Sequence, residues 1–464
     1  MSTALIIVVK GMVNNMKRDI IRIIAVLLTV ILAAGCIGGT TTTSNPDNTP
    51  GGSVNSTKRP QGEVGIFAAI GSGDKIPVGL PDADYVSGIN KFSIEVLRQL
   101  GDDWTGVVSP LSIQLALQLT ANGANAELAA EIIGLIYSDT KSIDEANQNA
   151  AKLLCALAIE ENTPLAQKNK GGNAAFNITN AIVADYNLEF EDEYEQKAGK
   201  YFNAFIASLD FEDKEGSLEK LNEWIEGKTH GLIGNMLSEL PDNTAAVIVN
   251  TIYFNDEWNI PFNAFKTPTT FHGKNGDSQV TMLKSSADYE LIDAENSTAV
   301  LLPYASGQYY MAVVLPDEGT LPVDALADIL DRLIENDSKL TDAISGTKQK
   351  VRVTVTMPAV QLKSDMNVVE IVENMGVRSL TLRDAISTMV KNNPLTIADV
   401  LHSASLNVTE KGTEAGAATV VITNEKAAVD VGIEFTCDRP YAMAIVNAET
   451  GAAVFVSIVN DITA

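Results

Sequence analysis

Between Val351 and Met357, apolar Val351, Val353, Val355 and Met357 alternate with polar Arg352, Thr354 and Thr356, the period of a strand with one face in a core and one in solvent. Leu406 and Val408 alternate in the same way with Ser405, Asn407 and Thr409. Unbroken apolar runs at Val247-Ile248-Val249, Met311 to Leu315, Tyr441 to Val446 and Ala452 to Val459 read as strands buried on both faces. Helical spacing instead joins Phe92, Val96 and Leu100, and again Leu218, Leu221, Trp224 and Ile225. Helical patterns dominate the first half and strand patterns the second, which predicts an α+β domain rather than a βαβ repeat.

The chain has 464 residues, 45% of them hydrophobic, enough for a substantial core. Its 59 acidic residues against 33 basic ones give a net charge of -26, which would repel a phosphate backbone, so nucleic acid is not an expected partner. The three cysteines, Cys36, Cys155 and Cys437, include no CxxC pair and cannot form a disulfide framework. Cys155 and Cys437 read as buried reduced thiols, with a bond between them as the alternative. The histidines, His230, His272 and His402, fall in no HExxH motif, no GxSxG is present, and Gly227-Lys228-Thr229 lacks the upstream glycine of a phosphate loop. Neither an enzyme, a metal site nor a cofactor is therefore expected.

At the amino terminus, Lys17 and Arg18 precede an apolar run from Ile20 to Ala34 that ends in Leu32-Ala33-Ala34-Gly35-Cys36. This resembles a lipoprotein export signal over residues 1–35, with Met16 as an alternative start and Cys36 as the acceptor of a lipid. A plain secretory signal and a retained transmembrane helix are the alternatives. Residues 36–80, rich in Thr, Ser, Gly, Pro and Asn, read as a flexible tether, and the folded domain is expected over 81–464. The sequons at Asn55 and Asn177 fit export.

Six segments, in order, resemble the serpin family. They are Val108-Ser109-Pro110-Leu111-Ser112; Leu221-Asn222-Glu223-Trp224-Ile225 with Thr229 and Ile233; Asn250-Thr251-Ile252-Tyr253-Phe254 with Trp258, Pro261 and Phe262; His402 with Asn407 to Ala415; Asp438-Arg439-Pro440-Tyr441; and the strand around Phe455. The resemblance implies three β-sheets, eight or nine helices and an exposed loop that baits a protease and enters the central sheet once cut. It further implies an inhibitory, prokaryotic lipoprotein-like member, monomeric, held at the cell surface, or alternatively secreted. A non-inhibitory serpin acting as carrier, chaperone or surface protein is the competing function.

The residues of the loop agree with that reading. Its hinge, Glu410, Gly412, Thr413, Glu414, Ala415, Gly416, Ala417, Ala418 and Thr419, is made mostly of small side chains that can enter a packed sheet without clashes. Thr413, Ala415, Ala417 and Thr419 fall on one face of a strand, and the charged Glu414 on the other. Counting along the family pattern from Glu410 puts the scissile bond between Lys426 and Ala427, the bait for a trypsin-like protease, with Glu425 as the alternative for a glutamate-specific one. The resemblance also assigns Ser109, Ser112, Asn250 and His402 to a polar shutter beneath the parting strands. It assigns Trp258 and Glu410 to the breach where insertion starts.

Overall fold

A computed structural model gives the structure of residues 2–11, 68–69, 79–137, 141–158, 174–335, 350–391, 394–413 and 432–462. Its strands are numbered β1 to β19 in chain order. The central sheet runs β14 (Val360–Asn367), β15 (Leu395–Val408), β6 (Thr244–Glu257), β4 (Ala175–Asp185), β5 (Phe205–Leu209) and β2 (Ala68–Ala69), with one lane between β15 and β6. That lane holds two segments end to end: β16 (Gly412–Thr413) at the top and β1 (Ser2–Gly11) below it. β1 is antiparallel to both neighbours, so β6 and β15 run in the same direction.

A second sheet runs β17 (Ile433–Thr436), β13 (Val351–Pro358), β10 (Met282–Asp293), β11 (Ser297–Pro303), β12 (Tyr309–Pro316), β18 (Tyr441–Asn447), β19 (Ala453–Val459) and β3 (Gly106–Val108), with β7 (Asn263–Ala264) beside β10. β8 (Thr269–Gly273) and β9 (Gly276–Val280) form a hairpin of their own. The strands expected at 351–357, 405–409, 247–249, 311–315, 441–446 and 452–459 are present, and the three sheets among the described residues match the expected number.

Eight helices lie among the described residues: α1 (Ala83–Leu100), α2 (Pro110–Ala121), α3 (Ala126–Gly134), α4 (Ile143–Leu157), α5 (Asp192–Phe202), α6 (Lys214–Lys228), α7 (Pro322–Glu335) and α8 (Val369–Asn374). Both periodic segments expected to be helical are so, as α1 and α6. α2 starts where Ser109 accepts a hydrogen bond from the Ser112 N–H and Pro110 fills the first turn, where its missing N–H costs nothing. Every residue of α2 is buried, because the helix passes through the main core beneath the central sheet. α6 covers the opposite face: Leu221 and Ile225 pack with Ala181, Val183, Val247 and Val249. Where the lane between β15 and β6 holds Leu5 to Val8 the sheet is covered on both faces, and the polar backbone groups of a strand there must find partners within the sheet.

Residues 2–11 belong to the stretch that resembles an export leader, and in the folded chain they form a central strand. Leu5, Ile6, Ile7 and Val8 are each at most 1% exposed. Cys155 is half-buried, Cys437 is fully buried, and neither is in a disulfide, which leaves the alternative bridge unformed. Burial pushes the Cys437 thiol well above its ordinary pKa, so it sits inert as a small apolar group. No helix among the described residues is long and apolar enough to cross a membrane.

Candidate functional site

After Val408 the chain leaves β15, turns through Thr409, Glu410 and Lys411, and re-enters the sheet at Gly412. The turn is closed by the Thr409 N–H and hydroxyl, both donating to the Gly412 carbonyl at 3.0 Å. It is pinned from outside by Trp258, whose backbone N–H donates to the Lys411 carbonyl at 2.7 Å and whose indole N–H donates to the Thr409 carbonyl at 2.9 Å. The Phe262 N–H donates to the Glu410 carbonyl at 2.8 Å, so Glu410 takes part here through its backbone. Gly412 lies so close to β6 that an added Cβ would come within 2.2 Å of the Asp256 carbonyl oxygen. Only glycine fits there.

Thr413 is fully buried, opposite Val408 on one side and Asp256 on the other. Its hydroxyl lies 2.6 Å from that of Tyr304, whose ring stacks on Trp258 with centroids 4.6 Å apart. Burial raises the Tyr304 phenol far above its usual range, so it stays protonated as a hydrogen-bonding partner. Asp256 is also buried, which pushes its carboxyl up to about 7, although the Ser306 N–H donates to it from 3.4 Å.

Lower in the lane, the four shutter residues come together around Leu5, which pairs with Asn250 on β6 and with His402 on β15. On the β6 side the Ser112 hydroxyl bonds to Asn250 Oδ1, Asn250 Nδ2 donates to Asn180 Oδ1 at 2.8 Å, and Asn180 Nδ2 donates to the Phe202 carbonyl at 2.9 Å. On the β15 side the Ser109 N–H donates to His402 Nε2 at 3.2 Å, and the Ser109 hydroxyl donates to the Val454 carbonyl at 2.7 Å. Accepting at Nε2 requires a neutral ring with its proton on Nδ1. Burial holds the ring neutral by pushing its pKa down to about 3, against a weaker upward pull from Asp365.

The described residues thus bring together Ser109, Ser112, Asn250 and His402, and separately Trp258, Glu410, Gly412 and Thr413. The hinge residues Glu414, Ala415, Gly416, Ala417, Ala418 and Thr419, the bait residues Glu425, Lys426 and Ala427, and the lipid acceptor Cys36 lie outside the described residues. Sequence reasoning missed Tyr304, Asp256 and Asn180. No group of three or more His, Cys, Asp or Glu among the described residues could hold a metal.

His402 and Asp256 oppose each other in acid. The folded chain resists protonating His402 down to about pH 3, whereas the unfolded chain takes that proton near 6.5, so this group makes stability fall as pH drops from 6.5 to 3. Asp256 holds its proton up to about pH 7 when folded but only to about 3.8 when unfolded, so it makes stability fall as pH rises from 3.8 to 7. Denaturant titrations across pH 3–8 should therefore show Asp256→Asn with a steeper loss of stability toward acid than wild type. His402→Gln should show a shallower one.

Three comparisons bear on this geometry. The profile of the Serpin (serine protease inhibitor) family matches residues 87–462. An uncharacterized serpin-like protein of Thermococcus kodakarensis is 26% identical over 95% of this chain and 98% of its own length. Iripin-3 of Ixodes ricinus is 28% identical over 76% of this chain and 88% of its own. Among solved structures, the thermophilic serpin tengpin in its native state superposes with a TM-score of 0.67 at 24% identity, over 85% of this chain and all of tengpin. Thyroxine-binding globulin in complex with thyroxine gives 0.66 at 23%, over 82% of this chain and 99% of the globulin. With the family profile matching from within α1 to the last described residue and the same fold recurring in these structures, the chain belongs to the serpin family.

Proposed function

We propose that this serpin is an inhibitor that traps a protease as a suicide substrate. The observation that carries the reading is the seating of Gly412 and Thr413 between β6 and β15, pinned by Trp258 and bonded to Tyr304. The first residues of the loop already occupy the lane, and those that follow are small and strand-forming. In the proposed reaction a serine protease's hydroxyl attacks the Lys426 carbonyl. An ester forms, the Lys426–Ala427 amide breaks, and its nitrogen leaves as the Ala427 amine with the proton. Insertion of the freed strand then carries the ester-linked protease away from its working geometry. A cysteine protease would form a thioester by the same steps.

The Lys426 ammonium suits a trypsin-like specificity pocket bearing a carboxylate, with Glu425 the bait if the bond lies one residue earlier. The Leu32–Cys36 segment supports export and a lipid anchor at Cys36, placing the inhibitor outside the cell on the membrane surface; a secreted form without lipid is the alternative. The likeness to a globulin solved with thyroxine favours a second reading, a carrier that binds a small molecule and arrests no protease.

These readings separate in experiments on the chain beginning at Cys36. Mixed with trypsin, it should form a complex that survives denaturing electrophoresis, and Lys426→Ala should slow that reaction about tenfold or more. Cleavage mapped to Glu425–Lys426 would move the bait to Glu425, and no complex with any protease would favour the carrier. Thr413→Arg should turn the inhibitor into a substrate that is cut and released, because an unpaired charge in this buried position costs several kcal/mol. Separately, the product of the full gene should partition into detergent, and Cys36→Ser should abolish that partitioning.

A further inference from the structure

The lane that receives Thr413 at its top is already filled below by β1. We propose that residues 2–11 are a built-in substitute for the reactive loop. A chain that retains them has its acceptor lane plugged, and a chain that has lost them can insert its loop. The inference rests on the reading of this lane as the loop's acceptor.

The register carries it. Thr413 pairs with Val408 and Asp256. The same pairing continued down the lane would set Gly416 opposite Ser405 and Tyr253, which are the partners of Ser2. The correspondence holds position by position to Ile422, whose partners would be Asp399 and Val247, the partners of Val8. β1 therefore occupies the loop's own sites, in the loop's own direction and without offset.

The composition matches as well. Ser2-Thr3-Ala4 stand where Gly416-Ala417-Ala418 would, and Leu5-Ile6-Ile7-Val8 where Thr419-Val420-Val421-Ile422 would. Both segments are three small residues followed by strand-forming ones, a pattern suited to this lane. Leu5 and Ile7 pack into the main core with α2, and Ile6 and Val8 pack with Val247, Val249 and Leu221 on the α6 side. At the shutter, where the loop would bring Thr419, the segment brings the fully buried Leu5, which removes more apolar surface from water.

The test uses the full chain, 1–464, refolded with its amino-terminal residues intact. Ile7→Asp puts a charge where Ile7 is fully buried and should expel β1. A labelled synthetic peptide of residues 416–425, the counterpart of β1 below the seated Thr413, should then enter the Ile7→Asp chain about tenfold faster or more than it enters wild type, a difference worth about 1.4 kcal/mol in barrier. Equal uptake would overturn the proposal. A second variant does not depend on expelling the strand. Ile6 and Val249 are direct partners, and opposed antiparallel residues have Cβ atoms about 5 Å apart, so Ile6→Cys with Val249→Cys, in a Cys36→Ser background, should oxidise to a bridge within one monomer. A bridge only between two chains would make the occupant a second copy, and no bridge would leave the lane without β1; either result overturns the proposal. An Ile7→Asp chain that takes up the peptide when it is added, yet arrests no protease in its absence, would remove the inhibitor reading and leave the plug standing.

Discussion

The lane between β6 and β15 presents two edges of backbone donors and acceptors, and whatever fills it must satisfy both at once. Because α2 lies under the sheet and α6 over it, water cannot do this, and each unmet group would cost on the order of 1–3 kcal/mol. Because β6 and β15 run in the same direction, a filler has the same orientation to both, and the two fillers here are antiparallel: one returns from the end of β15 and the other arrives along the same course. β16 is the first kind and β1 the second. The turn at Thr409, the glycine at 412 and the stack of Trp258 on Tyr304 all have their place because this lane must be entered from its top.

The polar cluster in the middle of an otherwise apolar core follows from the same requirement. A core made only of Leu and Val at this level would close around one occupant and resist any other. Here Asn250 is held by Ser112 and Asn180, and His402 by Ser109, so each flank of the lane keeps its own hydrogen bonds whatever side chain stands between them. The cost is a buried imidazole that acid would charge. Asp256 at the top carries the opposite liability, since its carboxyl is comfortable only while protonated.

Much of this was legible in the sequence, and the reason differs by element. β15 announces itself by alternation because one of its faces is more exposed than the other, whereas in β13 the alternating Thr354 and Thr356 are buried along with Val353 and Val355 and only Arg352 is exposed. Ser109, Ser112, Asn250, His402 and Trp258 were found because they sit in segments that resemble one family. Tyr304, Asp256 and Asn180 carry no such mark: an isolated tyrosine, aspartate or asparagine says nothing about a partner far away in the chain, such as Thr413 for Tyr304. β1 was hidden for another reason. Ala4 to Val9 is an unbroken apolar run close to a basic stretch, and such a run has no period to separate a strand buried on both faces from the approach to an export signal.

The turn at Thr409–Gly412 has a consequence for timing. Starting a β-hairpin is the slow part, since a loop must close before any ladder bond rewards it, whereas lengthening one adds residues to an existing end. In this chain the closure is already made, with Thr409 bonded to Gly412 and Thr413 paired on both sides. Any strand growing from that point behaves as a zipper whose slider is already engaged on its first teeth. Its speed is governed by how readily the lane ahead clears, and one foreign tooth at the position of Ser2 is enough to jam it.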